Sequence, residues 1–414
     1  MSFAARRRQS RKAKDNDIEN IVSFYEVIKM FRQYKLRNYS FPLIAAVIAL
    51  SVIGIMVIGS AQQSSQTRQT FGLVIGVTVM LAMSIFDYTV FVRMRWILFL
   101  IGCILLVAVL LIGVNVGGAT RWINIGVQFQ PSDLMKMAII VFFAGYFQQH
   151  DARLNTPKVL FGAILIMCIP LFLIYKEPDL STTIVTALIF CVILFTAGLS
   201  WKIIVSILAV AVPGAAIFLS IVLSPDQELI ADYQRDRILS WLRPMEYAEE
   251  AYQQQNSIIA IGSGQLYGKG LNNNAVNSVK NGNFISEPQT DFIFAVAGEE
   301  LGFAGCLAIV TLELIIAILC VRIGLRAREK AGMLICMGVG SLVLFQSSLN
   351  IGVTTGLMPN TGITLPFVSY GVTSLVTFCM QIGLVLNVGL QPRRAPAESD
   401  PQKRRFRPTY LASG

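Results

Sequence analysis

Runs of about twenty apolar residues recur along this 414-residue chain, and no other feature restricts its fold so severely. A helix of about 20 apolar residues crosses the ~30 Å hydrocarbon core of a bilayer. Ten such runs are present: Phe41–Gly59, Phe71–Phe86, Trp96–Val114, Leu134–Phe147, Val159–Tyr175, Leu180–Leu199, Ile203–Leu223, Phe292–Val321, Ala331–Leu357 and Val372–Leu390. The second and fourth are short. In lipid every backbone N–H and C=O must be satisfied within its own segment, so the runs predict helices and not strands. The expected fold class is an all-α integral membrane protein of about ten transmembrane helices. The basic stretch Arg6–Lys14 does not lead into a cleavable signal peptide, because the first apolar run starts too late and is too long.

Ten spans place both ends on one side of the membrane. Most of the 34 Lys and Arg residues fall in the segments before the first run and after the last, and in the loops at 88–95, 148–158, 199–202 and 322–330. This asymmetry predicts a membrane protein with both termini cytoplasmic. The net charge of +10 then reflects topology and anionic lipid headgroups, and no nucleic-acid partner is expected. All seven cysteines lie within apolar runs and read as small core hydrophobes, leaving no disulfide framework outside. The single histidine, His150, falls in a cytoplasmic loop, so acid–base work on the outer face needs Asp, Glu, Lys or Tyr.

The chain divides into a basic cytoplasmic segment at 1–40, a membrane domain at 41–390 and a basic cytoplasmic tail at 391–414. Residues 1–14 read as disordered. Ile18, Ile21, Val22, Tyr25, Ile28 and Phe31 recur at helical spacing, as an amphipathic helix on the inner leaflet or a short helix packed on the membrane domain. A long extracytoplasmic loop, 224–290, separates the seventh and eighth runs, and loops of this length are usually functional or disordered. Its aromatics argue for partial order. Ala248–Ile261 reads as a short helix with Ala251, Ile258, Ile259 and Ile261 available to bury, followed by glycines at 262, 264, 268 and 270.

Polar residues concentrate in the loops on that outer side. Arg121, in Gly117-Gly118-Ala119-Thr120-Arg121-Trp122-Ile123, opposes the positive-inside bias. It suits a bidentate phosphate clamp, or equally a side chain reaching up to lipid headgroups. Lys136 lies one turn into the fourth run, where a charge faces a cavity or a partner. In Lys176-Glu177-Pro178-Asp179-Leu180-Ser181, Asp179 is placed to cap the next helix, whereas capping alone does not explain Glu177. Lys269 ends a glycine-rich stretch whose N–H groups are able to line an anion. No metal-ligand spacing accompanies these carboxylates.

Asp291 ends the long loop and opens an apolar run. An Asp there is a helix cap or an acid–base group. Glu299 and Glu300, two turns further into the run, mark a polar cavity at membrane depth, and Pro359, Gly362, Pro366 and Gly371 break the chain between the last two runs. The residues describe an outward-facing cavity holding Arg121, Lys136 and Lys269 with carboxylates at Asp179 and Asp291. An anion carried on a lipid, such as a lipid pyrophosphate, fits it.

Five motifs, in order, give the chain a resemblance over about residues 32–390 to the SEDS proteins (shape, elongation, division and sporulation), typified by RodA and FtsW. They are Arg121-Trp122-Ile123 with Gln130-Pro131-Ser132; Glu177-Pro178-Asp179-Leu180; Ala260-Ile261-Gly262-Ser263-Gly264 with Gly268-Lys269-Gly270; Thr290-Asp291-Phe292-Ile293-Phe294-Ala295 with Gly298-Glu299-Glu300-Leu301-Gly302; and Thr361-Gly362-Ile363 with Leu365-Pro366-Phe367 and Ser369-Tyr370-Gly371. The resemblance implies an inverting peptidoglycan glycosyltransferase that polymerises lipid II on the outer face, with Asp291 as the essential aspartate. Asp291 would take the proton of the acceptor GlcNAc 4-hydroxyl as undecaprenyl pyrophosphate leaves. A carboxylate of ordinary pKa contributes there mainly by positioning. Arg121, Lys136 and Lys269 would hold the pyrophosphates, with Glu177, Asp179 and Glu299 lining the substrate site. A divalent cation, Mg or Mn, is the one cofactor the resemblance admits.

Asp133, Val372 and Asn360 depart from the family pattern, where Glu, Gly and an apolar residue are usual; local charge and shape are roughly kept. A lipid II flippase is the alternative, but it needs a polar path to both faces, and the intramembrane charges here cluster outward. A scaffold that only recruits a transpeptidase would not require an Asp at 291. The resemblance also implies a class B penicillin-binding protein as partner. Lys35-Leu36-Arg37-Asn38-Tyr39 inclines the reading slightly to RodA over FtsW.

Overall fold

The computed structural model describes residues 36–391 apart from 117–118, 125–127, 225–231, 273–277, 279–281 and 283. The helical pattern at 18–31, the basic residues of both ends, and Gly117 and Gly118 lie outside the described residues.

A long helix forms at each of the ten apolar runs. In chain order the elements are α1 (Phe41–Ala61), α2 (Gln63–Ile85), the short α3 (Tyr88–Arg93), α4 (Arg95–Ile112), β1 (Val114–Val116), β2 (Ala119–Asn124), β3 (Gln128–Phe129), α5 (Pro131–Gln149), α6 (Pro157–Lys176), α7 (Leu180–Thr196), α8 (Trp201–Val222), α9 (Asp232–Leu242), α10 (Ala248–Ser263), α11 (Ile293–Leu325), α12 (Lys330–Thr354) and α13 (Val372–Leu390). Among the described residues, seven of them, α1, α2, α4, α6, α11, α12 and α13, are long and apolar enough to cross a membrane. The protein is a multi-pass membrane protein. Proline opens α1, α5 and α6, where its missing N–H costs nothing.

Small residues let helices approach closely where the bundle is tightest. A Cβ at Gly76 of α2 would lie 3.0 Å from Cys379 Sγ of α13, and one at Gly383 of α13 would lie 2.6 Å from Met80 O of α2. Helix α5 is buried along nearly its whole length, with Phe142, Phe143 and Phe147 fully enclosed. Of the cysteines, Cys306, Cys320, Cys336 and Cys379 are buried, but Cys168 and Cys191 are exposed on the bundle surface, so the reading of all seven as core residues is corrected.

Unbroken, the 33 residues of α11 would run for about 50 Å, longer than a hydrocarbon core. The helix breaks at Gly302 (φ 65, ψ −164), a conformation open essentially to glycine alone. The glycine-rich stretch predicted to line an anion lies against this break. Lys269 N and Gly270 N donate to the carbonyls of Glu299 and Glu300 at 3.0 Å each, while Phe303 N and Ala304 N donate to Gln265 O and Leu266 O at 2.8 and 3.0 Å. Those loop N–H groups are spent on the helix, which corrects the anion-nest reading.

The long loop carries two helices. Helix α10 was expected; α9 was not. The buried face of α10 is Ala251, Gln254, Ser257 and Ala260, while Ile258 and Ile259 point out, contrary to expectation. The reason is polar docking: Gln254 Nε2 donates to Val353 O and Met358 O, both at 2.7 Å, and Ser257 Oγ to Thr354 O at 2.8 Å. These carbonyls belong to the frayed end of α12 and the turn after it, which would otherwise be buried without partners.

Candidate functional site

The site forms where two non-helical segments meet. The chain between α12 and α13 is irregular, and irregular backbone in such a bundle must be satisfied by protein groups. Asn350 Nδ2 of α12 donates to Asp291 O and Ile363 O, both at 2.7 Å. Ser369 Oγ donates to Thr290 O at 2.7 Å and Tyr370 N to Gln289 O at 2.9 Å. Ser181 Oγ of α7 donates to Thr361 O at 3.0 Å. Residues 289–291 and 361–371 are thereby laced into one rigid seam.

Asp291 sits in this seam just ahead of α11. A Cβ placed on Gly362 (φ 65) would lie 3.3 Å from Asp291 Oδ2, 3.5 Å from Arg237 Nη1 and 3.8 Å from Arg121 Nη1. One carboxylate and two guanidiniums therefore converge on a space that only a glycine leaves clear. Burial pushes the Asp291 carboxyl up to about 6; Arg237 and Arg121 pull it down, and Glu287 and Asp179 push it further up. The structure gives Asp291 no side-chain capping role in α11.

Asp179 caps α7 as expected, its Oδ1 accepting from Thr182 N at 3.0 Å. It also faces Arg121, Nε to Oδ2 at 3.7 Å, and Arg121 Nη2 donates to Pro178 O at 3.0 Å. Arg121 thus points inward, and the alternative of a side chain reaching to headgroups falls away.

Residues 31–394 match the family model described as "Cell cycle protein", which joins FtsW, RodA and SpoVE. The chain belongs to the FtsW/RodA/SpoVE family. A relative from Allochromatium vinosum, named "Probable peptidoglycan glycosyltransferase FtsW", is 33% identical over 73% of this chain and 74% of its own. Stage V sporulation protein E of Bacillus subtilis is 36% identical over 79% of this chain and 87% of its own. Among solved structures, one described as "Structural coordination of polymerization and crosslinking by a peptidoglycan synthase complex" superposes with a TM-score of 0.70 at 26% identity, covering 85% of this chain and 97% of that one. RodA of Thermus thermophilus shares the fold, with a TM-score of 0.62 at 24% identity over 86% of this chain and 98% of its own. The sequence likeness favours FtsW over RodA, against the inclination drawn from residues 35–39.

In this FtsW/RodA/SpoVE member the remaining predicted site residues have other partners. Lys136 is buried, with Nζ 2.7 Å from Asp133 Oδ1 and donating to Gln346 Oε1 at 3.0 Å. It is not among the charges acting on Asp291. Lys269 Nζ donates to Glu299 Oε1 at 2.8 Å, beside the α11 break. The structure therefore sets these residues apart: Lys136 joins α5 to α12 through Gln346, Lys269 ties its loop to Glu299 of α11, and an anion would have to displace those pairings to use the two lysines.

Glu177 is fully buried, and neither carboxyl oxygen has a hydrogen-bond partner. Burial, then Asp179, raise it to about 8 against the pull of Arg121, so it is protonated at neutral pH. Among the described residues no group of three or more His, Cys, Asp or Glu could hold a metal ion. Among the described residues, then, the side chains do not form a site for Mg or Mn.

Sequence reasoning missed Arg237. It was one of several charges in a long polar loop, and its only local signal was the three-residue spacing to Ser240, now buried.

Proposed function

We propose that this protein is a peptidoglycan glycosyltransferase that polymerises lipid II at the outer face of the cytoplasmic membrane, with Asp291 as general base. Family membership and the names of its relatives support the enzyme class. The observation that carries the residue assignment is the convergence of Asp291 Oδ2 with two guanidiniums at Gly362.

The acceptor's GlcNAc 4-hydroxyl donates its proton to Asp291. Its oxygen forms the new bond to the anomeric carbon of the donor from the opposite side, inverting it. The bond from that carbon to the pyrophosphate breaks, and undecaprenyl pyrophosphate leaves with the electron pair. A carboxyl raised to about 6 is a better base than an ordinary aspartate and stays ionised at neutral pH. Arg121 and Arg237 favour the ionised form of Asp291, ready to take that proton. Glu177, being neutral, adds no repulsion toward an incoming pyrophosphate. The positive-inside pattern supports an outward location for this face and cytoplasmic termini. A class B penicillin-binding protein is the proposed partner, supported by the likeness to a peptidoglycan synthase complex.

The test is lipid II polymerisation by the purified protein with its transpeptidase, wild type against Asp291→Asn. Glycan from the wild type and none from a folded, partner-binding variant supports the assignment. Equal glycan from both removes Asp291 from the chemistry. No glycan from either returns lipid II transport or scaffolding to the front.

A further inference from the structure

Arg237 reaches the site from α9, an element of the long loop and not of the membrane bundle. Its guanidinium and that of Arg121 lie within 4 Å of the same point beside Gly362 as the Asp291 carboxylate. The helix carrying it is fixed in place: Leu239 and Ser240 are buried, and Trp241 Nε1 donates to Gly356 O at 2.9 Å, tying α9 to the turn that leads into the 361–371 segment. From the other side, Ser181 fastens Thr361 to α7. The two arginines thus approach the carboxylate from independent elements, β2 and α9.

The charges facing Asp291 are Arg237 from α9, Arg121 from β2, Glu287 from the preceding turn and Asp179 from the start of α7. Without the arginines, burial and two neighbouring carboxylates would all favour the protonated acid, which cannot accept a proton. Arg237 is the larger of the two opposing influences. An anionic ligand is poorly suited to the point beside Oδ2, where it would meet a carboxylate. A hydroxyl suits it, donating to Asp291 and accepting from a guanidinium.

We infer that Arg237 is a positioning residue for Asp291: it closes with Arg121 on the gap left by Gly362, fixing the carboxylate's charge and its aim toward an incoming hydroxyl. The inference rests on the proposed role of Asp291 as base. It assigns to the extramembrane loop a direct part in setting the reactivity of a residue in the bundle, so that moving α9 would switch the base off.

The experiment measures the protonation of Asp291 separately from turnover. A hydrophobic carbodiimide reacts with protonated carboxyl groups and leaves a stable adduct that mass spectrometry locates on the Asp291 peptide. The full-length protein in detergent is labelled across pH 4–9 as wild type, Arg237→Gln, Arg237→Met and Arg237→Lys, and lipid II polymerisation is followed over the same range. The wild-type midpoint is expected near 6. In the Gln and Met variants it should move up by about one pH unit or more, and the acid limb of the activity profile should move with it. The Lys variant, which keeps the charge, should hold the wild-type midpoint. If an uncharged variant loses activity while Asp291 titrates as in wild type, Arg237 is merely structural and the inference is overturned. If Asp291→Asn polymerises normally, the base assignment fails, and the labelling midpoints still decide whether Arg237 controls Asp291.

Discussion

The side-chain amide of Asn350 donates to the main-chain carbonyl of Asp291 at 2.7 Å, and the same nitrogen donates to Ile363 O at 2.7 Å. One buried amide thereby sets the distance between the segment bearing Asp291 and the segment bearing Gly362. Asn350→Ala leaves two carbonyls unpaired, which costs about 1–3 kcal/mol for each group that stays dry. It also frees the seam to shift, and a displacement of about 1 Å lowers a positioned reaction by about 100-fold. We expect a fall in kcat larger than the fall in unfolding temperature accounts for. The check is kcat and thermal unfolding measured on the same preparation.

Asp291 titrates at about 6, and only its ionised form accepts a proton. Polymerisation is therefore expected to rise as pH increases through 6 and to level off above 7. An aspartate at its ordinary value would already be level at pH 5. The pH profile of kcat/KM with lipid II at low concentration reads this directly. Asp291→Asn should lower kcat by about 100- to 10,000-fold.

Glu177 is raised to about 8 from an ordinary 4.5, so folding takes up a proton. Wild-type stability should fall as pH rises from 4.5 to 8, because the unfolded chain releases that proton and the folded chain holds it; above 8 the cost is constant. Glu177→Gln keeps the shape without the titration. Its stability relative to wild type is expected to grow across that window, as read by thermal unfolding at pH 5, 7 and 9. A destabilised Gln variant at pH 9 would mean that Glu177 is ionised against a partner.

Gly302 (φ 65, ψ −164) lies so close to the glycine-rich loop that a Cβ would stand 2.3 Å from Gly268 N and 2.8 Å from Leu266 O. These are backbone atoms, which cannot step aside. Gly302→Ala should cost more than about 3 kcal/mol in strain and collision and release the loop from the break. Limited proteolysis within residues 264–290 and thermal unfolding test it.

Lys269 and Glu299 form an ion pair at 2.8 Å, with Glu299 almost wholly buried. Removing only the lysine takes the ion pair from a buried carboxylate, and breaking a buried pair from one side costs up to about 3–5 kcal/mol. Lys269→Met should therefore be more damaging than Lys269→Met combined with Glu299→Gln. A double-mutant cycle on unfolding temperature measures the coupling, and a cycle without coupling would show that the pair is incidental.

What was legible in the sequence followed from local rules. The ten apolar runs became ten long helices within a few residues of their expected ends, except that α2 begins among the polar residues Gln63–Thr70, where hydropathy is blind to helix. Asp179 proved a cap because capping depends on the next three residues alone. The long-loop helix α10 was found by its pattern, but its buried face was not. That face docks by hydrogen bonds from Gln254 and Ser257, which hydrophobic patterning does not register.

The sequence by itself determined that this chain lies in a membrane as a set of helices, which family it resembles, and that Asp291 stands at the end of a polar loop. Those follow from the length of apolar runs and the order of short motifs. Only the tertiary structure decided which charges act together. Arg121 and Arg237 meet at Asp291, whereas Lys136 turns to Asp133 and Gln346, and Lys269 to Glu299. Lys136 lies in an apolar run and the other three lie in polar segments between runs, and nothing local to any of them names its partner. Their roles differ because a buried charge takes whichever opposite charge packing brings within reach, and helices far apart in sequence set that choice.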